Sequence, residues 1–512
     1  MSSQIENLSA ALSVALEPSL GAVAISELRR LSGGASRETW SFDATQDDGS
    51  LRQLVLRRDP PTRPGWPGTM GTEARCLRAS AQAGLAVPQV LLDSDSPDLF
   101  GSAGIVMERI EGETLARRIL RDEKLRDARS VLAADCGAFL AGLHAIDPQV
   151  VAPLQSADPL KQIRLTLDAL DMPSPTFEFA IRWLESNRPQ TLSTAIVHGD
   201  FRLGNFIVDE EGLRAVLDWE LVHLGDPRED LGWLCVKAWR FGAADPVGGF
   251  GTRENLLAAY QAAGGAPVSL AELHWWEVFG TLRWGAICMT QTHAHLSGLL
   301  RSVELAAIGR RVCETEWDLL LLLEPVVTTE ALSKSALPKS APPKSAPPKS
   351  AIQLDQSQPS PNQAPIEGLH GRPTAEELLQ AVREFLTEQV MPSTEGNLSF
   401  HARVASNVIA MVERELVLGP QQDQQRATSL REFGVGSERE LAASIRSGGF
   451  SENRVALLEL LADGVLSSLL VARPTYLDSP ITALPSTDPP STDPPSTDPP
   501  STDPPSTDPP SQ

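Results

Sequence analysis

The sequence predicts an α+β protein of two lobes, an N-terminal antiparallel sheet and a mainly helical C-lobe, followed by a small all-α domain. Three observations predict it. Short apolar alternations with strand period are concentrated in the first 108 residues, whereas from residue 109 the apolar spacing becomes mostly helical. At Glu324 the composition breaks into proline-rich repeats, and helical spacing resumes at residue 372. The expected organisation is therefore an N-lobe over 1–108, a C-lobe over 109–325, a linker over 326–371, a helical domain over 372–476 and a tail over 477–512.

A chain of 512 residues with 41% hydrophobic and 21% charged content can bury a sizeable core in two or three domains. Its net charge of −22 argues against non-specific binding to nucleic acid or to an anionic membrane. The first 30 residues have no basic leader before an apolar run, and the most apolar stretch, 319–323, is too short to cross a bilayer. The expectation is a cytoplasmic protein. Cys76, Cys136, Cys235, Cys288 and Cys313 are scattered and odd in number, which reads as buried thiols and not a disulfide framework.

In chain order, a helical pattern over 5–16 precedes a strand over 25–31, the small residues Ser32-Gly33-Gly34-Ala35-Ser36 and a strand over 38–42. Gly33 and Gly34 would let backbone amides approach phosphate oxygens, although a Gly-Gly pair is more often only a turn. In the next strand, 53–58, alternation puts Val55 and Arg57 on one face, so Arg57 can reach phosphates under that turn. The helix expected over 72–83 offers Glu73 as its partner. An apolar strand, 105–108, runs into Arg109-Ile110-Glu111-Gly112, which suits a hinge where backbone groups meet a purine base.

Beyond the hinge, residues 128–145 read as a core helix, with His144 at its end a capping or core histidine. A short apolar strand, 195–197, then delivers His198-Gly199-Asp200-Phe201-Arg202-Leu203-Gly204-Asn205, followed by a hairpin and by Asp218-Trp219-Glu220. This spacing supplies what phosphoryl transfer from a nucleotide requires. Asp200 can take the proton of an attacking hydroxyl, while Asn205 and Asp218 can offer oxygens to magnesium. His198 reads as a residue that holds the loop. Asp230, at the start of a helix, can accept amides of the same loop, although a solvated N-terminal carboxylate is the competing reading. Trp233, Trp239, Trp275, Trp276 and Trp284 read mostly as core, with one or two available to a substrate pocket. Arg283 and Arg301 are the cations to watch for an anionic substrate. His293 and His295, two apart on a helix, do not face one metal.

The segments LSGGASRETW, LVLRRDPP, IVMERIEG, IVHGDFRLGN, VLDWE and LGDPREDLGW resemble the aminoglycoside phosphotransferase and choline kinase-like superfamily, over about residues 25–325. Within it they resemble the branch linked to acyl-CoA dehydrogenases. The resemblance implies a bilobal protein-kinase-like fold and an ATP- and magnesium-dependent phosphotransferase acting on a small-molecule hydroxyl. It further implies Asp200 as catalytic base, Asn205 and Asp218 as magnesium ligands, Arg57 with Glu73 on phosphate, and Arg109 to Gly112 beside the adenine. One departure from the superfamily is Arg57, where a lysine is usual. The branch tilts the acceptor toward a hydroxyacyl-CoA or hydroxy acid, with an aminoglycoside or amino alcohol as the alternative substrate. A nucleotide-binding regulator whose helical domain is an interaction module is the alternative function.

The KSAPP repeats ending at Ser350 read as an extended linker, and the five STDPP copies from Ser486 to Pro510 as a disordered acidic tail. Between them, helices are expected over 375–390, 399–416, 437–447 and 452–472, the first opened by a Thr374-x-x-Glu377 capping box. This part resembles an uncharacterised helical domain that accompanies such kinases.

Overall fold

Alternating burial builds the N-terminal sheet. The computed structural model describes residues 2–31, 37–60, 70–190, 194–334, 374–450 and 453–477. Helix α1 (Ser2–Leu20) is followed by β1 (Val23–Arg30), β2 (Glu38–Gln46), β3 (Leu51–Arg58), α2 (Met70–Gln82), β4 (Val90–Ser94) and β5 (Gly104–Glu108). The five strands are antiparallel in the order β1-β2-β3-β5-β4. Leu8, Leu12 and Leu16 of α1, at helical spacing, cover Trp40, Phe42, Leu54 and Leu56 on one face of the sheet. Val55 lies on the other face with Met70 and Ala74 of α2, and the same alternation carries Arg57 to that side, where Glu73 waits. Residues 32–36, with Gly33 and Gly34, lie outside the described residues.

The C-lobe comprises α3 (Ala116–Arg121), α4 (Arg126–His144), α5 (Pro159–Leu170), α6 (Pro175–Ser186), β6 (Ala195–Val197), β7 (Phe206–Asp209), β8 (Gly212–Val216), β9 (His223–Gly225), α7 (Arg228–Cys235), α8 (Arg253–Ala262), α9 (Leu270–Leu296), α10 (Val303–Gly309) and α11 (Val312–Leu323). Leu132, Cys136, Phe139 and Leu140 of α4 form its floor, and Phe201, Phe206 and Trp219 rest on them. All five cysteines are buried and unpaired, and burial pushes the thiols of Cys76, Cys235 and Cys288 up to about 12. Residues 303–323, although apolar at helical spacing throughout, form two helices, α10 and α11. Gly309 sits so close to Thr292 that a Cβ there would lie 2.5 Å from its hydroxyl, and the axis changes at Arg310-Arg311.

Residues 326–334, assigned by composition to the linker, belong to a further helix, α12 (Pro325–Lys334). It is tied back to α11 by the Thr328 hydroxyl, which donates to the carbonyls of Leu320 and Glu324. The remaining helices are α13 (Ala375–Phe385), α14 (Gly396–Glu432), α15 (Glu438–Arg446) and α16 (Arg454–Ala472). The Thr374–Glu377 capping box opens α13. Helix α14 continues past residue 416 and through Pro420, because side chains beyond the proline anchor it. Gln422 donates to the Ser467 carbonyl at 3.1 Å and Arg426 to that of Leu460 at 2.6 Å. Helix α16 is long and apolar enough to cross a membrane, more so than the 319–323 stretch, and over half of that span is buried in the protein. Leu457, Leu461 and Leu469 of α16, with Leu441 of α15, share one core with Trp317 and Leu320 of α11.

Candidate active site

The loop after β6 is shaped by its own backbone needs. Gly199 has φ +79°, and a Cβ there would lie 2.4 Å from the Leu221 carbonyl oxygen, so only glycine fits. Asp230, fully buried on α7, accepts the His198 amide at 2.8 Å and the Gly199 amide at 2.9 Å, one on each carboxylate oxygen. His144 reaches the same carboxylate at 3.3 Å and the Tyr260 hydroxyl at 3.0 Å. Burial alone would raise the Asp230 carboxyl, but His144, His198 and the Gly199 amide outweigh it and hold it below the usual range.

Asp200 is gripped by three donors. Arg202 Nε and Trp233 Nε1 each approach Oδ1 at 2.9 Å, and Asn205 Nδ2 donates to Oδ2 at 2.7 Å. The amide of Leu217 donates to the Asn205 carbonyl at 2.8 Å, and β7 pairs with β8 from Phe206 opposite Val216, so the hairpin returns Asp218 beside Asn205. Asp218 adopts φ +67°, a left-handed conformation costly for a residue with a Cβ and common at functional sites.

Arg57 bridges the lobes. Its guanidinium donates to Glu73 Oε2 at 2.9 Å and pairs with Asp218, with Glu220 at 3.6 Å. Glu73 in turn pairs with Arg37, which holds Asp59 at 2.9 Å. Burial is the largest influence on Asp218 and acts to raise its carboxyl; Arg57, His198 and Arg202 together overcome it and hold the group low. Asn205 and Asp218 offer oxygen donors of the kind a hard divalent cation takes, so these residues fit magnesium. Arg109 and Glu111 stand apart from this group. Arg109 pairs with the exposed Glu111 at 2.9 Å and reaches Ser41 and Asp43 of β2, beside the connection where the Glu113 amide meets the Val208 carbonyl.

His198 is completely buried, its Nε2 3.2 Å from the Leu217 carbonyl and its ring 4.7 Å from Trp219. Burial, above all, lowers its pKa, so the folded protein favours the neutral ring. Such a group contributes stability that is present above about pH 6.5 and lost as pH falls through its lowered folded value. His223, whose pKa is raised because Glu229 outweighs burial, acts with the opposite sign, losing its contribution as pH rises. The melting temperature of the wild type is therefore expected to fall more steeply below pH 6.5 than that of His198→Asn; parallel profiles would contradict this assignment.

Beside Arg202 opens a cavity of about 790 Å³. Its C-lobe wall is cationic and aromatic, formed by Arg117, Arg202, Lys237, Arg311, Trp239 and Trp284, with Glu314 the one carboxylate among the described lining residues. The Arg202 guanidinium stacks 4.5 Å from the Trp239 ring centroid. Buried Arg240 fixes this wall by donating to the Cys235 carbonyl and, at 2.7 Å, to Glu277. Of the cations singled out by sequence, Arg283 does not line the cavity, because Glu229 takes it at 2.9 Å and Trp233 lies under it; exposed Arg301 does not line it either. Arg202 was the residue overlooked. It lies inside the eight-residue motif, two positions after Asp200, where only a tertiary view shows which way it reaches.

Residues 27–276 match the model of the phosphotransferase enzyme family, and residues 392–476 match that of a domain of unknown function (DUF6285). The first segment belongs to the phosphotransferase enzyme family. The phosphotransferase domain has the bilobal protein-kinase-like fold, with an antiparallel N-lobe sheet and a helical C-lobe. Among curated relatives, acyl-CoA dehydrogenase family member 10 of Mus musculus is 32% identical over 203 residues, which is 36% of this chain and 18% of the relative. Acyl-CoA dehydrogenase family member 11 of Gallus gallus is 30% identical over 223 residues, 40% of this chain and 27% of the relative. The chain thus spans between 18% and 27% of the length of these two relatives. Among solved structures, macrolide 2'-phosphotransferase from Brachybacterium faecium aligns with a TM-score of 0.42 at 21% identity, covering 62% of this chain and 99% of that one.

Proposed function

We propose that the chain transfers the γ-phosphoryl group of ATP to a hydroxyl of a small anionic molecule, a hydroxyacyl-CoA or a related hydroxy acid. The observation that carries this reading is the meeting of Asp200, Asn205 and Asp218 beside a cation-lined cavity. In the reaction the acceptor oxygen bonds to the γ-phosphorus, the bond from that phosphorus to ADP breaks, and Asp200 takes the hydroxyl proton late in the transfer. Arg57 and Arg202 place positive charge where phosphate oxygens gain charge. Asn205 and Asp218 would hold magnesium, which when bound neutralises charge on the phosphates.

The acceptor class follows from the wall. Arg202, Lys237 and Arg311 are paired with Asp200, Asp318 and Glu314, so the positive charge met by a ligand comes from Arg117 and from the donors those pairs leave unused; it would disfavour a polycationic aminoglycoside and favour a thioester or carboxylic acid with phosphate or carboxylate groups. With magnesium-ATP, ADP release is expected with 3-hydroxyhexanoyl-CoA, more weakly with free 3-hydroxyhexanoate and not with kanamycin. A response to kanamycin alone would reverse the acceptor assignment. Nucleotide binding without ADP release from any hydroxyl compound, in wild type and Asp200→Asn alike, would favour a nucleotide-binding regulator.

A further inference from the structure

The helical segment that matches a domain of unknown function reaches into the same cavity as Arg202. Phe400 near the start of α14, and Arg473 and Tyr476 just beyond the end of α16, also line it. Tyr476 and Arg473 are held by polar contacts. The Tyr476 hydroxyl donates to Asp318 at 2.5 Å, and Lys237 reaches the other oxygen of that carboxylate at 3.0 Å while lying 4.3 Å over the Tyr476 ring. Arg473 stands 3.3 Å from Glu314, and its side chain remains half exposed. Behind these contacts is the core that α11 shares with α15 and α16, so residues 473–476 are seated on the C-lobe by packing as well as by polar bonds.

The two groups left accessible here differ in chemistry. Arg473 retains guanidinium donors beyond its contact with Glu314, and Phe400, 43% exposed, offers an apolar ring to the cavity it lines. Together they match a ligand with an anionic group and an apolar arm. We propose that this helical segment is the acceptor-recognition wall of the phosphotransferase. Arg473 binds a phosphate or carboxylate oxygen of the acceptor and Phe400 packs against its apolar arm, in the cavity that Arg202 also lines. The name acceptor rests on the phosphotransferase reading; the binding site does not.

The test separates the two. The full chain is titrated with 3-hydroxyhexanoyl-CoA and followed by tryptophan fluorescence, since Trp239 and Trp284 line the cavity. The expected result is saturable quenching in the wild type, weakened about tenfold or more in Arg473→Gln and in Phe400→Ala, and partly retained in Arg473→Lys. Binding of a fluorescent ATP analogue and the melting temperature, measured on the same samples, should stay at wild-type values. Equal affinity in wild type and both variants, or no binding of the thioester by the wild type, overturns the proposal. Thioester binding that depends on Arg473, without ADP release, upholds this site and removes the thioester as the phosphoryl acceptor instead.

Discussion

Asp200→Asn is expected to lower the turnover number about 10²–10⁴-fold, the usual contribution of a positioned general base, while ATP still binds. The substitution keeps the shape of the side chain, so an amide oxygen can still accept from Trp233 or Asn205. It loses the ability to take a proton, and it leaves Arg202, whose Nε lies 2.9 Å from Asp200, without its counter-charge. ADP release with 3-hydroxyhexanoyl-CoA measures the first quantity, and titration with a fluorescent ATP analogue the second. Turnover within a fewfold of wild type would show that Asp200 is not the base. Loss of nucleotide binding would show that the effect is structural.

Asp230→Ala should act on folding and turnover together. It strands the amides of His198 and Gly199, which are buried, and each abandoned donor costs about 1–3 kcal/mol. His144 loses its carboxylate partner as well. The melting temperature should fall markedly, and turnover should fall about 10²-fold even in the folded fraction, because the loop that aims Asp200 loses its anchor. The pH dependence has a definite sign. A carboxylate whose folded pKa is lowered contributes stability that is present above its unfolded value, near 3.9, and lost as pH falls through the folded value. The acid-side loss of stability should therefore be shallower in Asp230→Ala than in the wild type. A variant with wild-type melting behaviour and turnover would mean that the loop is held by other contacts.

What the sequence disclosed about the site follows from how local each feature is. Asp200 and Asn205 lie in one eight-residue stretch, and a short hairpin with a two-residue tip returns Asp218, so spacing alone brings them close. Arg57 was legible because a strand alternates with period two, and Glu73 because a helix follows. The contacts that hide are those where direction matters more than position. Nothing in the spacing reveals that Trp233, on α7, turns its indole nitrogen to Asp200, or that Arg37 completes the charge chain from Asp59 through Glu73 to Arg57. Strands β4 and β9, absent from the sequence reading, exist through pairing with β5 and β6. The cavity beside Arg202 was least visible, since its cations come from α3, the loop motif, the turn after α7, the start of α11 and the end of α16.

The core shared by α11, α15 and α16 makes the order of synthesis matter. A ribosome releases α11 long before it has made α16, and until then the faces of Trp317 and Leu320 have no cover from the helices that later bury them. The compositional break after Glu324 therefore marks where the chain changes character, and it is a poor place to cut. A fragment ended there would keep Asp200, Asn205 and Asp218 but carry a raw apolar flank, while the chain that continues to Tyr476 seals that flank and adds Arg473 and Tyr476 to the cavity in the same folding event.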